Sequence, residues 1–384
     1  MLESLLVYGS LALLMVLCGI IAARREPVYK GYSGEYTLNN KFIRPEIIFI
    51  IAAFTFVFGC RYGVGVDYFH YLFSYQKQSD REFEILFRVL SDFLSERNLH
   101  YAVYFSLWAF IQITLFYYAF RNQRFLYPLL AFFLIIGYGY MSWMNIIRQE
   151  IASGIFLVSL KYLDEKKLWK YMLCILIACC FHKASVILVV FYPLFLWRKD
   201  LFRKISWQML FYVIALVISI NYSEWFVEIV SRPYKLFTNY FKYQNYLYGF
   251  LDVERINSRA QFQTNTGYGI YITIIKTLPI ILVSRQMKNF FNSSLFDMFY
   301  SLWFIRIITS FIVGSSIILN RPFAFFSNFN MIMSAYFVYY CFKSKKPIWQ
   351  LFGVFYLLLY IAMFVYIVSN GDTNTSKFLF FWQI

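Results

Sequence analysis

Long apolar runs separated by short polar connections cover most of the chain. A helix needs about 20 apolar residues to cross a bilayer, and several runs are shorter. The pattern therefore predicts roughly 12 transmembrane helices, within a range of about 10 to 14, and the two runs beside His182 could form one re-entrant unit. The predicted helices are Ser4–Ala22, Pro45–Cys60, Leu99–Phe120, Phe125–Met141, Ile146–Leu163, Leu168–Phe181, Ala184–Trp197, Ile205–Ile220, Tyr268–Ser284, Leu295–Leu319, Phe323–Phe342 and Ile348–Ser369.

The composition agrees with this pattern. Of the 384 residues, 60% are hydrophobic and only 15% are charged, which is unlike an ordinary soluble domain. The six cysteines lie in or beside apolar runs and lack the spacing of a zinc site or a disulfide framework. We therefore predict an all-α integral membrane protein in which residues 1–384 form a single polytopic membrane domain.

Basic residues predict the orientation of the helices. Lys and Arg concentrate in alternate connections, which marks those connections as cytoplasmic. They hold about 20 of the 36 Lys and Arg residues, so most of the net charge of +16 reflects topology and does not indicate nucleic-acid binding. With an even number of spans, both termini lie outside. Two outer connections, 61–98 and 221–267, are long enough to fold, and the second has the composition of amphipathic helices at the outer interface.

The segment Arg61–Tyr71, RYGVGVDYFHY, has the composition of a binding site. Gly63 and Gly65 allow a sharp turn or a close approach of the backbone to a ligand. Asp67 is a candidate base toward a sugar hydroxyl. The alternative is a polar loop whose tyrosines lie at the membrane interface.

Four cations lie near the outer ends of predicted helices, where the positive-inside rule disfavours them. They outnumber the nearby carboxylates, which suggests a site for a multivalent anion such as pyrophosphate. The alternative is a structural ion pair, for example between Arg148 and Asp67 or the surroundings of Glu150. The four residues are Arg61, Arg148, Lys183 and Arg321.

His182 and Glu84 are further candidates for catalysis. His182 ends an apolar run, with Ser185 three residues later, and is a candidate acid or base; the alternative is a hydrogen-bonded interface residue. Glu84 is a carboxylate of the first outer connection, where solvated loop charge is the alternative. No P-loop, H-E-x-x-H, nucleophile elbow or D-x-D motif occurs, so we predict no metal and no cofactor. Asp252 and Glu254 are a weak exception, because this pair could hold a cation.

Five short motifs resemble the EpsG family of Wzy-type polysaccharide polymerases, from about Phe54 to Ala335. The chain departs from the commoner pattern at Val66 and at Lys183–Ala184, and neither change removes a proposed functional group. The motifs are RYGVGVDYFHY, FEILFRVL with Glu84, NIIRQEIASGIFL with Arg148 and Gln149, FHKASVIL with His182 and Ser185, and NRPFAFF with Arg321.

The resemblance implies a GT-C-like bundle in the bacterial inner membrane that synthesises O-antigen, capsule or exopolysaccharide. Such a polymerase transfers a growing glycan from undecaprenyl pyrophosphate to the next lipid-linked repeat unit at the outer face. The implied partners are these lipid-linked units, membrane lipid and a regulator of chain length. A flippase for lipid-linked oligosaccharides, an O-antigen ligase and an O-acetyltransferase remain alternatives.

The predicted site follows from the motifs and the charges together. We expect Asp67 or His182 to act as the base, with Asp67 preferred because it lies in the glycine-containing segment, and Glu84 as a further catalytic candidate. Pyrophosphate binding is assigned to the four outer cations. Sugar binding or positioning is assigned to Gly63, Gly65, Tyr68, Tyr71, Gln149 and Ser185.

Overall fold

The computed structural model of the chain describes residues 2–24, 42–77, 83–221, 268–313, 317–370 and 377–384. Helices make up the regular structure of these ranges, together with one isolated β-bridge. The α-helices are α1 (Leu2–Arg24), α2 (Pro45–Gly59), α3 (Tyr68–Lys77), α4 (Ile85–Ser95), α5 (Tyr101–Ala119), α6 (Tyr127–Ile135), α7 (Tyr140–Asn145), α8 (Ile147–Asp164), α9 (Leu168–Phe181), α10 (Phe191–Trp197), α11 (Ile205–Asn221), α12 (Tyr268–Leu282), α13 (Ser284–Phe291), α14 (Ser294–Val313), α15 (Ile317–Ala324), α16 (Asn328–Lys343) and α17 (Pro347–Asn370). Short 3₁₀ helices lie at Arg124–Leu126, Lys183–Val190 and Phe381–Gln383.

Most of these helices coincide with the predicted apolar runs. In the described ranges, four helices are long and apolar enough to cross a membrane: α1, α5, α14 and α17. The pair α12 and α13, bent by 55°, is a fifth such segment if it counts as one span. Shorter apolar helices of 10–17 residues lie at Pro45–Gly59, Arg124–Ile135, Leu168–Phe181, Lys183–Trp197 and Ile205–Ile220. The helical, polytopic membrane fold is therefore confirmed, whereas the number of spans and the GT-C-like arrangement stay predictions.

The structure differs from the predicted helices at two places. The run Leu295–Leu319 is described as helix α14 as far as Val313, and the next described helix, α15 (Ile317–Ala324), contains Arg321. Arg321 consequently lies inside a helix and not in a connection. The run Phe125–Met141 is divided among a 3₁₀ helix, α6 and α7, because the chain turns at Tyr138 with a φ of 64°. The apolar run resumes directly after Tyr138, so the hydrophobic pattern was interpreted as one helix.

Backbone contacts group the chain into two units. The first unit comprises residues 1–198 and 334–384, and the second comprises residues 199–333. In the first unit, α1 packs on α2 and α6, and α8 packs on α5 and α9. In the second, α14 packs on α11 and α15. Most of the predicted site residues fall in the first unit, and the single polytopic domain stays a prediction.

The C-terminal segment Phe378–Phe381 pairs with the turn that follows α2. The backbone N–H of Tyr62 donates to the carbonyl of Leu379 at 2.7 Å, and that of Phe381 donates to the carbonyl of Cys60 at 3.0 Å. This short antiparallel pairing ties the end of the described chain to the first residues of the glycine-containing segment.

Ser4→Ala should destabilise the first unit by about 1–3 kcal/mol, because a buried donor would lose its acceptor. The Phe378 N–H donates to the Ser4 hydroxyl at 2.9 Å, and both residues are buried. Ser10→Ala on the same helix is the control, since the Ser10 hydroxyl is exposed and donates to the Val7 carbonyl. Thermal unfolding in detergent measures the difference, and equal melting temperatures for the two variants would contradict this role of Ser4.

Candidate functional site

A polar cluster forms around Glu84, where α8 begins and α9 ends. The Arg148 guanidinium donates from Nη1 to Glu84 Oε2. His182 Nδ1 lies 3.3 Å from Glu84 Oε1, and the backbone N–H of Lys183 donates to the same oxygen at 3.1 Å. One carboxylate therefore joins the start of α4, the first turn of α8 and the junction after α9.

The cluster is partly open to its surroundings. The side chains of Arg148 and His182 are 23% and 24% exposed, and that of Glu84 is 11% exposed. Burial by itself raises the pKa of Glu84, but the hydrogen bond with His182 and the charge of Arg148 outweigh burial and lower this pKa to about 2. Glu84 is therefore ionised at any physiological pH and balances part of the positive charge of the cluster.

Two aromatic residues contact Arg148 in addition to Glu84. The guanidinium lies 4.3 Å from the centre of the Phe83 ring, a cation–π contact. Tyr71 is buried, and its hydroxyl is within hydrogen-bonding reach of Arg148. Burial raises the pKa of the Tyr71 phenol, Arg148 counteracts this, and the charge of Asp67 raises the pKa further. Asp67 lies one turn before Tyr71, whose N–H donates to the Asp67 carbonyl at 3.1 Å.

Gly63 and Gly65 shape the turn between α2 and α3. Their φ angles are 70° and 106°, in the region that favours glycine. A Cβ on Gly65 would lie 3.0 Å from Asn145 Oδ1, and this same oxygen accepts the Val66 N–H at 2.8 Å. The turn is docked on the end of α7, which positions Asp67 immediately before α3.

Arg61 lies inside this turn. Its side chain is buried, Nε donates to the carbonyl of Val64 at 3.1 Å, and Nη1 donates to the carbonyl of Phe58. The guanidinium stacks 4.6 Å from the centre of the Phe105 ring. The Tyr68 hydroxyl donates to the carbonyl of Arg61 at 3.2 Å. These contacts close the turn, and the burial of Arg61 does not favour its predicted contact with a pyrophosphate.

The remaining predicted residues differ in exposure. Gln149 and Ser185 are buried, and the Ser185 hydroxyl donates to the carbonyl of Ala178 at 3.5 Å. The side chain of Lys183 is exposed beside the Glu84 cluster. Arg321 is exposed too, but it belongs to the second unit. Their roles as ligands stay predictions.

Metal ligands were predicted only weakly, at Asp252 and Glu254. Both residues, with the rest of the connection 221–267, lie outside the described residues. Among the residues that the structure describes, no group of three or more His, Cys, Asp or Glu side chains could hold a metal ion. Metal independence stays a prediction.

The motifs that surround Glu84, Arg148 and His182 lie within residues 46–381, and this range matches the EpsG family. The chain belongs to the EpsG family. EpsG proteins are Wzy-type polysaccharide polymerase-like membrane proteins. Membership places this EpsG protein in polysaccharide biosynthesis, with glycosyltransferase-like polymerase character and lipid-linked polysaccharide substrates. No curated protein and no solved structure matches the chain.

The EpsG chain also holds a charged residue that sequence reasoning missed. Arg306 lies inside α14, half-buried, and its Nη1 donates to Asn320 Oδ1 on α15. Arg306 lies within the predicted helical run Leu295–Leu319 and is not among the predicted site residues. An arginine at membrane depth usually faces another helix or a water-filled cavity, and this rule would have marked Arg306 as a candidate from the sequence.

Proposed function

We propose that this EpsG protein is a bacterial polysaccharide polymerase. It transfers a growing glycan from undecaprenyl pyrophosphate to the next lipid-linked repeat unit, at the outer face of the inner membrane. The observation that carries the proposal is the Glu84 cluster, in which a guanidinium, an imidazole and the backbone N–H of an exposed lysine meet at helix ends. Family membership supplies the class of reaction.

The cations of the cluster hold the leaving group. As the glycosidic bond breaks, its electron pair passes to the pyrophosphate oxygen, and the new negative charge needs preorganised donors. Arg148 can grip two oxygens with its planar fork, and the exposed Lys183 ammonium adds a point charge. Arg321 stays a proposed third ligand.

His182 is the base that the geometry supports best. Glu84, 3.3 Å from Nδ1, favours a proton on that nitrogen and leaves the Nε2 lone pair for the acceptor hydroxyl. That hydroxyl oxygen attacks the anomeric carbon of the donor while its proton passes to Nε2. Asp67 is the second candidate, because it directly precedes α3, the helix that carries Tyr71.

Orientation is part of the proposal, because polymerisation at the outer face requires His182 to lie outside. The basic connections support this orientation and place both termini outside. A green fluorescent protein fused after Ile384 should therefore stay dark. Fluorescence from that fusion would contradict the orientation.

Purified protein in liposomes, supplied with a synthetic lipid-linked repeat unit, should produce a ladder of longer lipid-linked glycans. If no new covalent bond forms, a flippase or an O-acetyltransferase remains possible. Transfer of the glycan to another acceptor would indicate a ligase. The lipid pyrophosphate, released into the bilayer once per transfer, gives a second readout.

The ladder should persist in EDTA, because the proposed charge stabilisation comes from Arg148 and Lys183. The measurement is the polymerisation rate with and without chelator. Loss of the ladder in EDTA and recovery with magnesium or manganese would contradict metal independence. Asp252 and Glu254 would then be the candidate metal ligands.

A further inference from the structure

Glu84 occupies the place in the cluster that an anionic ligand would take. Oε2 accepts from the Arg148 guanidinium, and Oε1 accepts the Lys183 N–H at 3.1 Å. Guanidinium forks and backbone N–H groups at the start of a helix are the donors that proteins use for phosphate groups. We propose that Glu84 is a resident counter-anion, which a diphosphate displaces from Arg148 and Lys183. This inference rests on the function proposed above.

The carboxylate and its donors belong to different helices and connections, so the carboxylate can move away while the donors stay in place. Glu84 directly precedes α4, whereas Arg148 belongs to α8 and Lys183 follows α9. Only one face of α4 is buried, at Phe87, Ser91 and Leu94. Residues on the opposite face are exposed by about half: Ile85, Val89 and Phe93. The first turn of α4 can therefore shift without opening a packed core on both sides.

Charge favours the incoming ligand. A diphosphate brings at least two negative charges to donors that hold one carboxylate, so its attraction to Arg148 is stronger at the same distance. His182 and the Lys183 N–H share Oε1, whereas the guanidinium binds Oε2, so Glu84 can release Arg148 and Lys183 and keep Oε1 on His182 Nδ1. The apparent affinity for a diphosphate is the intrinsic affinity multiplied by the fraction of molecules in which Glu84 has left the donors.

Glu84→Gln should therefore bind diphosphates more tightly than the wild type. The full chain is placed in phosphatidylcholine nanodiscs and titrated calorimetrically with inorganic pyrophosphate and with farnesyl pyrophosphate. An occupancy of about 90% by Glu84 corresponds to an affinity gain of about tenfold on its removal. The same gain for both probes is expected, because only the diphosphate group meets the cluster.

Glu96→Gln is the matched control, since Glu96 is an exposed carboxylate at the other end of α4 and its loss changes the net charge equally. Its affinity should equal that of the wild type, whereas Arg148→Gln should lose binding. Glu84→Gln that binds either probe as weakly as the wild type, or more weakly, would overturn the proposal. An equal gain in Glu96→Gln would also overturn it, because the effect would then be one of net charge.

A measurement on the wild type covers the case in which Glu84→Gln fails to fold. Hydrogen exchange of residues 83–90 should rise on addition of pyrophosphate, because the start of α4 loses its anchor on α8. Unchanged or slower exchange with bound pyrophosphate would overturn the displacement. The polymer ladder tests the proposed function separately. If Glu84→Gln binds more tightly but the wild type forms no ladder, the polymerase is rejected. If the wild type forms a ladder but Glu84→Gln does not bind more tightly, only the displacement is rejected.

Discussion

Arg148→Lys should reduce the rate of polymer formation by roughly 10²- to 10³-fold, the usual cost of losing a donor at a developing anion. The Arg148 guanidinium binds Glu84 and lies 4.3 Å from the centre of the Phe83 ring, so its plane is already held in one orientation. Lysine keeps the charge but loses the fork that grips two phosphate oxygens. Polymer length and rate in liposomes, with protein abundance in the membrane, measure the effect.

Arg97→Lys is the matched control for this substitution. Arg97 also stacks on a phenylalanine, 3.6 Å from the centre of the Phe93 ring, and donates to the Phe93 carbonyl at 2.9 Å. It is exposed at the end of α4, so we expect normal polymer from this variant. Normal polymer from Arg148→Lys would remove Arg148 from the proposed pyrophosphate site.

A purely structural ion pair gives a different result. In that case Arg148→Ala would lose folded protein together with activity, because the mostly buried Glu84 would lose its charged partner and keep only His182 and the Lys183 N–H. Folded but inactive Arg148→Ala supports the ligand role. Arg321→Lys and Arg321→Ala test the predicted ligand of the second unit by the same two measurements.

His182→Ala should lower the rate of the chemical step by roughly 10²- to 10⁴-fold, the usual contribution of a general base. Donor binding should change much less, because Arg148 and Lys183 remain. Single-turnover rates at saturating donor separate the two effects. Asp67→Asn in the same assay decides between the two candidates, since the residue whose loss depresses turnover more than binding is the base.

His100→Ala is the control for His182→Ala. His100 also lies at the end of a helix, where its Nδ1 accepts the Ala102 N–H at 3.2 Å and caps α5. Its loss should cost about 1 kcal/mol of stability and leave the rate of the folded enzyme unchanged. Wild-type rates in both His182→Ala and Asp67→Asn would exclude both bases and leave Glu84 and Glu150.

The buried Glu150 shows how sequence distance misleads about partners. It is two residues from Arg148, and its surroundings were among the predicted sites of an ion pair. In the structure, Glu150 Oε1 accepts the Ser142 hydroxyl at 2.5 Å, and Arg148 turns to Glu84. Residues two apart on a helix point to different faces, so the nearer carboxylate was the less accessible one.

The sequence alone determined the membrane class, the family and most helix positions. These properties depend on the length of local apolar runs and on short motifs, which can be read without knowledge of packing. It also indicated that charged residues collect at helix ends around Asp67, Arg148 and His182. The turn at Tyr138 was not predicted, because apolar residues lie on both sides of it and the run was interpreted as one helix.

Only the tertiary structure decided which of these charges meet. Arg148 pairs with Glu84, 64 residues away, and Lys183 donates to the same carboxylate from 99 residues away. Arg61 has the same charge as Arg148 and a similar predicted role, yet it is buried among the carbonyls of its own turn. The reason is physical: such contacts depend on how α4, α8 and α9 pack, and packing depends on the shapes of side chains that are distant in the sequence.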